Sequence, residues 1–360
     1  MAKKKLKRRF IVLPIVLGTT LMVASIAFSS VYFTLLYRYP GTHRENPFNE
    51  TDAFDISKIA TLEKQKDKDF VILNLADVQM CDLEDIKNFR TLHAEIDELV
   101  STYHPDLITL TGDQTWSNEN LISLTSLISW LDGYQTPWAP IFGNHDYGNE
   151  RDSAVASQQY CCDLYERSKY CLFDRGPSNL GTLGNYVINI KEEDNIIHTL
   201  YFLDLGYEYA LTKGQSKWFA WNADGIKAHH NDTYVPGTVF THKELPGSLG
   251  AYLNYRYTGQ GAEGDVIVHM GFAYVIDTGF EDLAKSHGVY DFISGHEHNN
   301  NYTIHYEGAR YTFAVKTGEC VSYYEDENIY LNGGTTITLG DEETPKIEHH
   351  YVERGKYKIK

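Results

Sequence analysis

Seven side chains in this sequence could bind metal: Asp77, Gln79, Asp113, Asn144, His242, His296 and His298. They are carboxylates, amide oxygens and imidazoles, a set that suits hard or borderline divalent cations rather than thiolate-seeking ones. Most stand just past a short apolar run. His296 and His298 belong to Gly295-His296-Glu297-His298, and Gly295 permits the sharp turn that would aim both imidazoles at one centre. Asp113 is a natural bridge, because one carboxylate can bind two cations. Two metals about 3.5–4 Å apart can clamp a phosphoryl group between them. His145 follows Asn144 and could act as an acid on a leaving oxygen, with Asp146 orienting it. Singly, an Asp or Asn at a strand end could be a turn former or a helix cap. A lone His-x-His pair is more often packed than ligating. The joint occurrence points to a metal centre.

The elements that must position these groups read as strands followed by helices. Residues 70–76 form an apolar run that leads to Asp77-Val78-Gln79. A helix is expected over residues 85–103, with Phe89, Leu92, Ile96 and Leu99 on one face. Residues 107–111 lead to Gly112-Asp113, a second helix covers residues 120–131, and residues 138–142 lead to Gly143-Asn144-His145-Asp146. Strands alternating with helices imply parallel βαβ units, whose sites lie at the carboxyl ends of the strands. Further on, residues 186–190 and 198–205 read as consecutive strands, residues 151–166, 216–229 and 280–286 as helices, and residues 238–240 as a short strand before His242. Residues 245–265, rich in Gly and Tyr, read as an irregular loop. Residues 302–304, 309–315 and 335–339 alternate as strands. Trp218, Phe219 and Trp221 read as core rather than as a substrate platform.

Composition narrows the partners. The formal net charge is -17, and all 49 acidic residues lie after position 44. Past Arg38 there are 25 basic residues against those 49, so that part carries -24. Such a body repels nucleic acid, and no nucleic-acid scaffold is expected. An anionic substrate would need bound cations to attract it. The five cysteines, Cys81, Cys161, Cys162, Cys171 and Cys320, match no zinc or redox spacing. Either Cys161 or Cys162 could bridge to Cys171; free, partly buried thiols are the other option.

The amino terminus reads differently. Six basic residues, Lys3, Lys4, Lys5, Lys7, Arg8 and Arg9, precede 28 uncharged ones, residues 10–37. At 1.5 Å per residue that run is long enough to cross a bilayer. A cleaved signal peptide would carry a shorter apolar region, about 7–15 residues. Residues 1–9 are therefore expected in the cytoplasm, residues 10–37 as a single-pass plasma-membrane anchor, residues 38–68 as a tether with room for a first short strand near its end, and residues 69–360 as an extracytoplasmic domain. Sequons occur at Asn49, Asn231 and Asn301, the last three residues past His298, where a glycan would crowd the site.

The order Asp77-x-Gln79, Gly112-Asp113, Gly143-Asn144-His145-Asp146, His242, then Gly295-His296-x-His298 resembles the calcineurin-like metallophosphoesterase family, which includes purple acid phosphatases. The resemblance spans about residues 69–321. It implies an α/β fold, a four-layer αββα sandwich. It implies one metal at Asp77, Gln79, Asp113 and His298, a second at Asp113, Asn144, His242 and His296, and a catalytic role for His145. Two positions depart from the pattern. Gln79 stands where the family usually has His, which suits Mn or Mg better than Fe or Zn. Trp116 stands where the purple enzymes have Tyr, so no ferric tyrosinate is expected. The implied activity is hydrolysis of phosphate mono- or diesters; the alternative is a non-catalytic surface binding or sensing protein on the same fold.

Overall fold

The computed structural model describes Ser25 and residues 39–80, 86–148, 153–207, 209–269, 271–273, 275–318, 331–342, 344–353 and 356–357. The expected basic segment and membrane span, residues 1–37, fall outside these apart from Ser25, as do Cys81 and Cys320. Among the described residues, no helix is long and apolar enough to cross a membrane.

Strand, helix, strand, helix, strand builds the first layers, as the apolar periodicity requires. β1 (Ala60–Lys64) comes first, followed by β2 (Phe70–Leu75), α1 (Ile86–Tyr103), β3 (Leu107–Thr111), α2 (Asn120–Gly133), β4 (Trp138–Ile141) and α3 (Gln158–Arg167). β2, β3 and β4 pair in parallel. The second half is β5 (Tyr186–Glu192), β6 (Asn195–Phe202), α4 (Lys213–His229), β7 (Gly237–Phe240), α5 (Pro246–Thr258), β8 (Ile267–Val268), α6 (Phe280–Ser286) and β9 (Val289–Ser294). It closes with β10 (Asn300–Tyr306), β11 (Ala309–Phe313), β12 (Gly333–Leu339) and β13 (Lys346–Tyr351). One sheet runs β13-β12-β2-β3-β4 and the other β1-β5-β6-β7-β9-β11-β10-β8.

Side-chain alternation makes this a four-layer αββα sandwich. Ile188, Ile190, Leu200, Phe202, Phe240 and Ile293 of the larger sheet join the core of the smaller one. Their neighbours Val187, Tyr201, Val239 and Phe292 point the other way, into a second core with Trp218, Phe219 and Ile226 of α4 and Phe280 of α6. Trp218 and Phe219 are thus core, as expected. Trp221 instead takes Phe48 and Phe54 edge-on, at 5.5 and 5.1 Å between ring centroids.

Three expectations need correction. Residues 40–64 are not a tether. Thr42 donates two 2.8 Å bonds to Asp163, Arg175 donates to the Thr42 carbonyl at 2.7 Å, and β1 pairs in parallel with β5. The polar composition concealed a segment held by hydrogen bonds, by the ion pairs Arg44–Glu166 and Lys64–Glu192, and by Phe48, Phe54, Ile59 and Leu62 packed against the two cores. The Gly- and Tyr-rich stretch is a helix, α5, with Pro246 in its first turn and Gly259 as a left-handed C-cap. Its glycines allow close approach, since a Cβ on Gly247 or Gly250 would run into Tyr311 or Tyr306. The smaller sheet also gains an edge strand, β13, that the sequence pattern did not suggest. Cys161, Cys162 and Cys171 are free thiols. Asn301 is fully buried in β10, which closes its sequon to a glycan in the folded chain.

One buried histidine gives a pH signature. His198 Nε2 lies 2.9 Å from Thr238 Oγ1, and burial, with Arg310 adding to it, lowers its pKa to about 3. An unfolded imidazole titrates near 6.5, so below that pH the unfolded chain takes up a proton that the folded chain refuses. Stability is then lost as pH falls, by up to about 1.4 kcal/mol per pH unit. His198→Gln keeps a partner for Thr238 and removes the titration. In urea unfolding between pH 7 and 5 the variant should lose less stability than the parent; parallel losses would contradict the assignment.

Candidate metal centre

The candidate ligands sit where two pairs of strand-end loops run side by side. Beyond β2 and β3, Gln79 N–H donates to Asp113 O at 2.8 Å and Met80 N–H to Gln114 O at 2.9 Å. Beyond β7 and β9, Thr241 N–H donates to Ile293 O and Gly295 N–H to His242 O, both at 3.0 Å. The four loops meet at the ends of both sheets.

Backbone strain concentrates here. Asp77 (φ 50°), Gln79 (φ 44°), Asp113 (φ 51°) and His296 (φ 72°) all occupy the left-handed region. Each costs about 1–3 kcal/mol for a residue with a Cβ, and such strain clusters at functional sites. The motif glycines explain the packing. A Cβ on Gly112 would fall 2.4 Å from His242 Nδ1, and one on Gly295 2.5 Å from Asp77 Oδ2. One on Gly143 would fall 2.2 Å from Asp113 Oδ1.

The seven side chains form two groups that share Asp113. Ligand atoms of Asp113, His242 and His296 lie within 4.8 Å of one another, as do those of Asp77, Asp113 and His298. In the first group, His242 Nδ1 donates to the Thr111 carbonyl at 2.8 Å, which leaves Nε2 as the acceptor in the neutral ring. That Nε2 faces Asn144 Oδ1 at 3.0 Å, His296 Nδ1 at 3.2 Å and Asp113 Oδ1 at 3.4 Å. Lone pairs so close, with few protons among them, fit a cation. In the second group, Asp77 Oδ1 is buried without a hydrogen bond and lies 3.6 Å from His298 Nε2. Gln79 Nε2 lies 3.0 Å from His298 Nε2 and donates to Asp113 Oδ2 at 3.3 Å. Turning the carboxamide over would present Oε1 to the same position.

Electrostatics follow from burial and proximity. Burial works against the charge of Asp77, but His298 and His242 outweigh it and lower its pKa. Asp113 is held far below the usual carboxylate range, burial again being overcome by His242 and His145. Despite its burial, His242 is raised to about 9 by Asp113. Burial, reinforced by His242, pushes His296 down to about 3.

His145 stands half-buried at the edge of the groups. Its N–H donates to Asp113 Oδ1 at 2.8 Å, its Nε2 lies 3.9 Å from Asp113 Oδ2, and its ring centroid is 4.0 Å from that of Trp116. Burial lowers its pKa. Asp146 does not orient it. Asp146 Oδ2 accepts from Gly143 N–H at 2.8 Å and Oδ1 from Thr115 N–H at 3.0 Å, so this carboxylate braces the loops instead. Burial and then Asp113 raise its pKa to about 8.

Sequence reasoning missed Lys316. Its buried ammonium donates to the Asp77 carbonyl at 2.6 Å and so holds the strained residue from behind. Burial lowers its pKa to about 8. The available signal was a lysine closing the apolar run at residues 309–315. Glu297, between the two histidines, was also passed over; burial and then Asp77 raise it to about 7.

Fold and site together define a two-sheet α/β protein with places for metal at its strand ends. The chain belongs to the calcineurin-like phosphoesterase family, whose model matches residues 70–300. No curated protein matches it. Among solved structures it is similar to a dimetal phosphatase from Danio rerio, at 13% identity over 76% of this chain and 93% of that one, with a TM-score of 0.46. It is also similar to a purple acid phosphatase from yellow lupin (Lupinus luteus) seeds, at 10% identity over 76% and 50%, with a TM-score of 0.47. A third is GAP50, the anchor in the inner membrane complex of Plasmodium, at 13% identity over 80% and 85%, with a TM-score of 0.45.

Gly143 offers a clean steric test. Its φ of -107° is open to any residue, so Gly143→Ala acts only through the clash with Asp113. The variant should keep its fold by circular dichroism and bind fewer manganese ions per chain at equilibrium dialysis. Unchanged binding would remove Asp113 from the ligand set.

Proposed function

We propose that this chain is a membrane-anchored, extracytoplasmic phosphoesterase that uses two divalent metal ions to hydrolyse phosphate mono- or diesters. The observation that carries it is the convergence of two ligand groups on one buried carboxylate, Asp113, with three of the residues involved in left-handed backbone. One metal would be held by Asp77, Gln79, Asp113 and His298, the other by Asp113, Asn144, His242 and His296. When bound, the metals supply the positive charge that attracts and polarises a phosphate ester. The chain's own groups do the rest. Thr111 O fixes the His242 tautomer, and Lys316 and the paired loops hold the carboxylates in place. His145, partly exposed and backed by Trp116, donates a proton to the leaving oxygen. A dianionic phosphate beside it raises the pKa that burial lowers.

Gln79 favours added Mn or Mg over Fe or Zn, because an amide oxygen is a harder donor than an imidazole. The same residue supports the second hypothesis, a binding or sensing protein, since its Nε2 bond to Asp113 occupies an oxygen that a metal would use. Turnover separates the two. The full chain should hydrolyse a chromogenic phosphate ester with added Mn²⁺, and His145→Ala should lower that rate about 10²–10⁴-fold with metal content retained. No turnover with any of the four metals would leave the binding function.

The anchoring proposal rests on residues 1–37. Protease added to intact cells should digest the body and spare a short amino-terminal fragment; a protected body would reverse the orientation.

A further inference from the structure

Helix α5 shows solvent an apolar stripe. Leu249, Leu253 and Tyr257 recur every four residues, so they share one face, and they are 42%, 45% and 88% exposed. The helix's other side is occupied: Ser248 O accepts from Tyr302 Oη at 2.8 Å, and Gly247 and Gly250 lie against Tyr311 and Tyr306. The stripe continues past the start of α5. Ile276, 53% exposed, lines a small crevice with Leu245 and Pro246, and its N–H donates to the carbonyl of Tyr209, itself 46% exposed. Scattered exposed apolar side chains need no explanation, but a contiguous run does. Among the described residues, five of the seven large exposed apolar side chains fall in this one run.

The run begins at the rim of the candidate metal centre. Pro246 follows His242 by four residues, and Lys243 Nζ sits 3.6 Å over the Tyr209 ring. Pro40, the first residue of the folded body, is tied through neighbouring residues to the loop that carries Asn144 and His145. Ser157 Oγ donates to Pro40 O at 2.7 Å, and the next residue, Gln158, donates to Tyr147 Oη at 2.6 Å and to Asp204 at 3.1 Å. Tyr147 closes the turn that carries Asn144 and His145, and its ring packs against Tyr207, two residues before Tyr209. In the sequence only Arg38 and Tyr39 separate the uncharged run from Pro40.

We propose that this rim docks on a lipid bilayer, with Tyr209, Ile276, Leu249, Leu253 and Tyr257 entering the boundary between headgroups and acyl chains. The proposal rests on the membrane anchoring and the phosphoesterase function proposed above. Tyrosines and aliphatic side chains on one helix face suit that boundary. With -24 charges past Arg38, the body gains nothing from anionic headgroups, so the fitting surface is zwitterionic. The metal centre would then open towards phosphate esters at the membrane surface.

The test uses the full chain in phosphatidylcholine vesicles that contain some phosphatidylcholine with a diazirine high in its acyl chain. After irradiation, mass spectrometry should find lipid adducts on residues 246–258 as well as on residues 10–37. The helix should be labelled several-fold more than Tyr290 and Tyr351, which are 49% and 41% exposed but lie off the stripe. The combined substitution Leu249→Glu, Leu253→Glu, Tyr257→Glu should abolish the helix adducts and leave turnover of a soluble chromogenic phosphate ester unchanged. Leu253→Glu alone should weaken them. Adducts confined to residues 10–37, or none, would overturn the docking surface. Chain-to-chain cross-links through α5 in place of lipid adducts would assign the stripe to a second copy and overturn it too. A wild-type chain that labels as expected but turns over no soluble ester would count against the phosphoesterase function alone.

Discussion

Two carboxylates, Asp77 and Asp113, are buried close together at the end of the inter-sheet core, and the rest of the site is arranged around that repulsion. Buried like charges are tolerated only with opposite charge at hand. The protein supplies part of it. His242 lies beside Asp113, His298 beside Asp77, and the Lys316 ammonium lies behind the Asp77 carbonyl. Each is imperfect compensation. The His242 ring is held by Thr111 so that its lone pair, not a proton, faces Asp113 and Asn144 when the ring is neutral. Bound cations would complete the balance without moving any of these groups. The left-handed backbone at Asp77, Gln79, Asp113 and His296 has the same origin, since ordinary β or α conformations would turn these side chains away from the shared centre.

The strand-end groups were legible because they recur in a fixed relation to apolar runs. The parallel β2-β3-β4 unit and the positions of Asp77, Asp113 and Asn144 follow from the alternation of strand and helix. What the sequence concealed was whatever depends on distant contacts. α5 reads as loop because Gly247 and Gly250 lower helix propensity, yet those glycines let the helix sit against Tyr311 and Tyr306. Residues 40–64 read as tether because their composition is polar and their attachments reach residues far along the chain, such as Asp163 and Arg175. Asp146 looked like a partner for His145 by adjacency. In three dimensions its oxygens turn back to the amides of Gly143 and Thr115.

Gln79 and Trp116 are where this chain departs from its family's pattern, and their side chains meet different residues of the site. Trp116 packs on His145, so its ring shapes the surroundings of the proposed proton donor rather than a metal. Gln79 lies between Asp113 and His298, inside the group of four proposed to hold one ion. Its carboxamide can be a donor to Asp113 or an oxygen ligand, but not both through the same face. The strength of that site therefore depends on one amide rotation.

The measurement that tests the account most directly is anomalous diffraction from crystals of the chain grown with Mn²⁺. Two peaks about 3.5–4 Å apart are predicted, one on either side of Asp113. One should be bounded by Asp77, Gln79 and His298, with Gln79 Oε1 turned inward, and the other by Asn144, His242 and His296. A single peak beside His242 and His296, with Gln79 Nε2 still bonded to Asp113, would contradict the two-metal centre.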